Sequence, residues 1–199
     1  MTTTEPASGP DLRRLNRKTI RLFYLLSPVV SLLLSLVIFR ARGTGFAAAF
    51  RSPHSLSFQM AAGTLAGLLA ALLVGRVILR SPRLASLRTL IRRIFEAAKP
   101  TSADLTLTSL SAGFSEELLF RGAIQPLLGI WLTSLLFALA HGAGVKFTRG
   151  NLLFGLFVFS TGVFLGYLFI EFGLLSAMIA HALLDLLLLF QYRSLLKAI

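Results

Sequence analysis

Apolar residues run along this chain in blocks about as long as a membrane is thick, separated by short intervals rich in arginine. Four blocks are unbroken: 22–39 (LFYLLSPVVSLLLSLVIF), 56–75 (LSFQMAAGTLAGLLAALLVG), 152–170 (LLFGLFVFSTGVFLGYLFI) and 172–190 (FGLLSAMIAHALLDLLLLF). A helix needs about 20 mostly apolar residues to cross the hydrocarbon core, so each block predicts one crossing. Two further blocks, about 104–125 and 128–145, are apolar but carry charge, and Pro126 is expected to mark the turn between them. The pattern predicts an all-α polytopic transmembrane bundle of about six membrane helices.

A different periodicity governs 83–99 (RLASLRTLIRRIFEAAK). Leu84, Leu87, Leu90, Ile91, Ile94 and Phe95 share one helical face, and Arg88, Arg92, Arg93 and Lys99 fall mostly on the other. This predicts one interfacial amphipathic helix lying along the membrane surface as an anchor and brace. Gly63-x-x-x-Gly67 and Gly162-x-x-x-Gly166 permit close helix approach and are read as packing within the bundle.

Composition agrees with the pattern. The chain has 199 residues, 55% of them hydrophobic, and a mean hydropathy of +0.79. That length suits one domain: residues 1–19 read as a disordered basic tail and 20–199 as a single transmembrane domain. The run 22–39 is too long for a signal-peptide core and lacks a small-residue cleavage site after it, so it reads as a retained helix. Cysteine is absent, which removes disulfides, thiolate metal sites and a cysteine nucleophile.

The net charge of +12 invites a nucleic-acid reading. Its distribution argues against one. Basic residues cluster at Arg13, Arg14, Arg17, Lys18 and Arg21, then from Arg76 through Lys99, then at Lys146 and Arg149, and finally at Arg193 and Lys197. Alternate loops carry only Arg40, Arg42 and Arg51. This is the positive-inside pattern, with both termini cytoplasmic. The expected partners of the basic loops are anionic lipids, not nucleic acid, and the expected location is the bacterial cytoplasmic (inner) membrane.

The chemistry resides in the polar residues that interrupt the apolar blocks: Glu116, Glu117, Arg121, His141, His181 and Asp185. A charged side chain at the bilayer centre costs about 2.5–3.5 kcal/mol even on insertion scales, so such residues are functional by default. Glu117 and Arg121 are four apart and can pair, which by itself would be a charge-neutral clamp. Glu116 points about 100° away and needs another partner. Phe137 and His141 share a face of the next helix, and His181 and Asp185 share a face of the last, where Asp185 can accept from the imidazole and fix its tautomer. His54 is expected to be a solvated loop residue. Two carboxylates and two imidazoles suit water-mediated hydrolysis, with a glutamate as general base. Glu116, His141 and His181 are equally a ligand set for a zinc-bound water.

The stretches EELLFRG (116–122), FALAH (137–141) and HALLD (181–185) resemble, in order and spacing, the motifs E-E-x-x-x-R, F-x-x-x-H and H-x-x-x-N/D of the CAAX-protease and bacteriocin-processing (CPBP, or Abi) family of intramembrane proteases. The resemblance covers about residues 104–190. It implies a helical core around a conical cavity and hydrolysis of a peptide bond in a membrane-associated or lipid-anchored substrate. By position, Glu116 would activate the water with His141 beside it, His181 and Asp185 would stabilise the oxyanion, and Glu117, Arg121 and Phe137 would support them. The eukaryotic enzymes carry Asn where this chain has Asp185. An ionised Asp would repel an oxyanion, so here it is either protonated or acts through His181. Two rival readings stand beside the protease: a non-catalytic scaffold or immunity-type member of the same family, and a proton-coupled transporter, for which internal repeats and broken helices would be expected.

Overall fold

The computed structural model describes residues 16–142 and 149–197. Every regular element among them is helical: α1 (Arg17–Ala41), α2 (Leu56–Arg80), α3 (Ala85–Ala98), α4 (Ser102–Glu117), a π-helical segment (Leu118–Ile124), α5 (Gln125–Ala140), α6 (Arg149–Phe172) and α7 (Leu174–Lys197), with 3-10 turns at Phe46–Phe50 and Pro82–Leu84. Residues 1–15 and Lys146 lie outside the described residues. Helix α1 begins five residues before its apolar block, where the Asn16 side chain accepts from the Thr19 N–H and caps it.

Five stretches among the described residues are long and apolar enough to cross a membrane, and one of them, Ser102–Ala140, has 39 residues. A straight helix of that length would reach about 58 Å, twice the hydrocarbon core. It is not straight. Gly129 has φ 73 and ψ 173, a conformation outside the helical region that glycine adopts without strain. The chain reverses there, which brings the rings of Phe120 and Phe137 to 5.1 Å. The long stretch is therefore an outgoing and a returning leg, so the five apolar stretches among the described residues make six legs. The expected turn at Pro126 is displaced by three residues. Pro126 instead occupies the first turn of α5, where a missing N–H is tolerated.

Side-chain contacts fix the directions of the helices. Arg21 meets Asp104, Ser111 donates to the Tyr24 carbonyl, and the Ser27 and Ser115 hydroxyls are 3.1 Å apart, so α1 and α4 run parallel. Helix α2 runs parallel to α7, with Gly63 against Ser176 and Gly67 against Ala180. On its other side α7 meets α4 antiparallel, with Gly113 against Ala182. Gly162 and Gly166 receive Ser134 and Gln125. Both glycine pairs thus serve packing within the chain. Helix α7 is the most buried of the crossing stretches, at 44%, and α1 the least, at 17%.

Helix α3 closes the basic end of the bundle. Leu84, Phe95 and Ala98 are buried while Arg92 and Arg93 are exposed. The side chains of Leu87 and Leu90 lie outside the described residues. Phe95 packs at 5.8 Å on Tyr192, whose hydroxyl donates to the Arg88 carbonyl. The helix stops at Lys99 in the left-handed conformation, and a reciprocal Thr101–Asp104 capping box starts α4.

Candidate active site

Four helices each contribute to one polar cluster. Glu116 and Glu117 end α4, and Arg121 follows in the π-helical segment. His141 is the residue at which α5 stops. His181 and Asp185 occupy successive turns of α7, and α6 supplies a backbone carbonyl at Gly162. The depth follows from helix lengths. The returning leg from Gly129 to His141 is about 18 Å long and His181 lies about 10 Å from the start of α7, so the cluster lies within the length of the apolar helices and not at their ends.

The inner layer of the cluster is closed. Arg121 and Glu117 are both fully buried and pair at 3.2 Å between Nε and Oε2. Arg121 also donates through Nη2 to the Gly162 carbonyl at 3.1 Å, and its guanidinium lies over the Phe137 ring at 4.7 Å. Phe137, only 1% exposed, also touches both imidazoles, at 4.3 Å to His141 and 5.9 Å to His181. One aromatic ring thus sets the spacing of the arginine and the two histidines.

The tautomers follow from the partners. His141 donates through Nδ1 to the Phe137 carbonyl at 2.8 Å, and His181 donates through Nδ1 to Glu117 Oε1 at 2.9 Å. Both imidazoles therefore turn Nε2 toward Glu116. Its Oε2 lies 3.4 Å from His141 Nε2 and 4.0 Å from His181 Nε2. That buried oxygen makes no hydrogen bond within the protein. A buried carboxylate oxygen at these separations from two nitrogens is an environment suited to a bridging water. Asp185 Oδ2 lies 3.5 Å from His181 Nε2, and its side chain is 38% exposed, against 5% for His181. The cluster therefore opens toward the Asp185 side, one turn nearer the basic end.

The residues named from the sequence converge, with one pairing and one exposure that differ from expectation. Asp185 lies beside His181 at Nε2, while the carboxylate that holds the His181 Nδ1–H is Glu117, a pairing not expected from the sequence. Spacing within one helix could reveal Asp185 but not Glu117, whose contact depends on how α4 and α7 pack. His54 is half-buried, not solvated, with its ring 4.8 Å from Phe58 and 6.0 Å from Phe172. Sequence reading also passed over Asp104, which is 1% exposed and ties α4 to Arg21 at 3.1 Å and Arg17 at 3.6 Å.

As a zinc site the cluster fits poorly. Bonds of 2.0–2.1 Å put neighbouring ligand atoms on a tetrahedral ion about 3.4 Å apart, and the Glu116–His181 separation of 4.0 Å exceeds this. No group of three or more His, Asp or Glu side chains among the described residues is disposed to hold a metal ion.

Residues 99–187 match the family model described as Type II CAAX prenyl endopeptidase Rce1-like. The match contains all three motifs and every residue of the cluster, and it shows the resemblance to the CPBP family read from those motifs. The helices and the match together make the chain an integral membrane protein. Comparison with curated proteins and with solved structures found no match.

Proposed function

We propose that this chain is an intramembrane endopeptidase of the CAAX type that hydrolyses a peptide bond of a membrane-associated or lipid-anchored substrate through a glutamate-activated water. The observation that carries the reading is Glu116 Oε2, buried without a protein hydrogen bond and facing Nε2 of both His141 and His181. The matched family is described as prenyl endopeptidases, which supports the protease class and, for the substrate, a lipid-modified protein.

A water bridging Glu116 Oε2 and His141 Nε2 donates one hydrogen to each. Its remaining lone pairs are then free to attack the carbonyl carbon of the scissile bond. Glu116 takes the proton as the C–O bond forms, and later delivers it to the leaving nitrogen as the C–N bond breaks. The new oxyanion needs a donor, and with His141 Nε2 accepting from the water the remaining ring nitrogen facing Glu116 is His181 Nε2. It can donate there only as the imidazolium, with Nδ1–H already committed to Glu117. In this reading Asp185, 3.5 Å from that nitrogen, supports the charged ring at the position where the eukaryotic enzymes carry asparagine. No step passes through a metal.

The test is cleavage in liposomes by wild type and by Glu116→Gln, with a membrane-anchored peptide as substrate. Glu116→Gln should lose at least about 100-fold in rate, the usual scale for a general base, while keeping its fold and substrate binding. Retained cleavage would eliminate the glutamate mechanism. No cleavage by wild type of any membrane-anchored peptide, with binding intact, would favour a scaffold. Treatment with a chelator should leave the rate unchanged, and reversible loss with stoichiometric zinc would replace this mechanism with a metal-assisted one.

A further inference from the structure

On the face of α6 turned away from the candidate active site, an apolar groove of about 760 Å³ runs between α2 and α6 from Phe58 and Phe172 to Leu73 and Phe157. A second groove of about 450 Å³ shares Leu73, Val74, Phe157 and Ser160 with it and continues to Ser81 and Leu84. Together they form one channel along the membrane-spanning length of α2, with Leu184 of α7 in its floor. Helix α6 separates it from the polar cluster, since Gly162 and Gly166 face Ser134 and Gln125 while Thr161, Phe164 and Leu168 face the groove.

The two ends of the channel differ. The end near Gly173 is aromatic: Phe58, Phe172 and His54 pack there at 4.8–6.0 Å. The other end is cationic. Ser81, in the wall of the second groove, accepts from Arg88 Nη1 at 2.6 Å, and Arg76 stands exposed on α2 beside the lining residue Val77. An apolar channel with an aromatic end and a cationic mouth fits an amphiphile with an acyl chain and an anionic head.

We propose that the α2–α6 channel is a binding site for one anionic phospholipid, its acyl chain along α2 and its headgroup phosphate at Arg76 and Arg88. The lipid would fill the gap between two helices that touch little and would brace the α6 side of the bundle. The site is separate from the hydrolytic one and does not depend on the proposed chemistry.

Native mass spectrometry of the intact chain, with phosphatidylglycerol or phosphatidylcholine added in detergent, reads it directly. Wild type should retain one phosphatidylglycerol in preference to phosphatidylcholine. Each arginine near a headgroup contributes about fivefold, so Arg76→Gln and Arg88→Gln should each reduce the preference by about that factor. Arg76→Gln is the cleaner variant, because Arg88 also ties α3 to α2. Ser160→Trp, at an exposed position where the two grooves meet, should block retention of either lipid. Equal retention of both lipids by wild type, an unchanged preference in Arg76→Gln, or full retention in Ser160→Trp would each overturn the proposal.

Discussion

Arg121 is the largest fully buried side chain among the described residues, and three contacts hold it there: Glu117 beside Nε, the Gly162 carbonyl on Nη2 and the Phe137 ring beneath. Removing it leaves Glu117 as a buried charge held only by His181. Breaking such a pair from one side costs about 3–5 kcal/mol, enough to unfold a marginal bundle. Arg121→Ala should therefore lower the yield of folded protein in detergent as well as activity. Adding Glu117→Gln removes the stranded charge, and the amide oxygen can still accept from His181 Nδ1, so the double variant should recover folded protein while staying less active than wild type. Size-exclusion yield and cleavage rate, measured on both variants, separate the two effects; no recovery would mean that the two residues do not act as a pair. The i, i+4 spacing made this ion pair legible in the sequence, and it holds although the intervening backbone is π-helical. The Glu117–His181 contact was not legible, because it joins residues 64 apart across two helices.

What brings that contact about is a property of the elements. A Cβ on Gly113 would lie 2.8 Å from the Met178 carbonyl and the Ala182 N–H nitrogen, closer than side chains and backbone come without one of them moving. The absent side chain lets α4 settle on α7 at the turn that carries His181. Gly113→Ala should push the helices apart, costing about 1–3 kcal/mol as overpacking does, and should lower cleavage further by drawing His181 from Glu117. Gly45→Ala is the control: nothing lies within 4 Å of its Cβ, and it should change stability by no more than about 0.5 kcal/mol. Thermal unfolding in detergent, paired with cleavage rates, checks both. Equal effects from the two substitutions would remove close packing as the cause. The sequence announced Gly63, Gly67, Gly162 and Gly166 through their spacing, but a lone glycine such as Gly113 has no spacing to announce it. The reversal at Gly129 was hidden in the same way, since its left-handed backbone has a weaker signature than the nearby proline.

At the scale of the molecule, hydrophobic blocks and basic intervals were enough to give a polytopic helical bundle and a separate amphipathic helix at its basic end, because in a bilayer the solvent itself fixes element length and loop charge. They could not give the half-length return of α5, which reaches only about 18 Å from Gly129 before stopping at His141. Nor could they give the α2–α6 channel, which is a gap between faces that are each simply apolar. The crossings make one further statement testable. With three outgoing and three returning legs, the ends of α1 and α7 lie on the same side, and contacts link that side directly: Arg193 donates to the Ser102 hydroxyl at 3.0 Å, and Arg17 donates to the Lys99 carbonyl at 2.7 Å. The basic residues concentrate there, so that side should be cytoplasmic. A reporter active only outside the cytoplasm should be silent when fused after Lys197 and active when inserted at Gly43, in the loop between α1 and α2. Because the two sites lie at opposite ends of the bundle, an inverted protein would reverse both signals, and an even number of crossings between Gly43 and the C-terminus would make them agree. Only silence after Lys197 together with activity at Gly43 leaves the cluster of Glu116, His141, His181 and Asp185 opening toward the cytoplasm, where newly made membrane-anchored substrates would meet it.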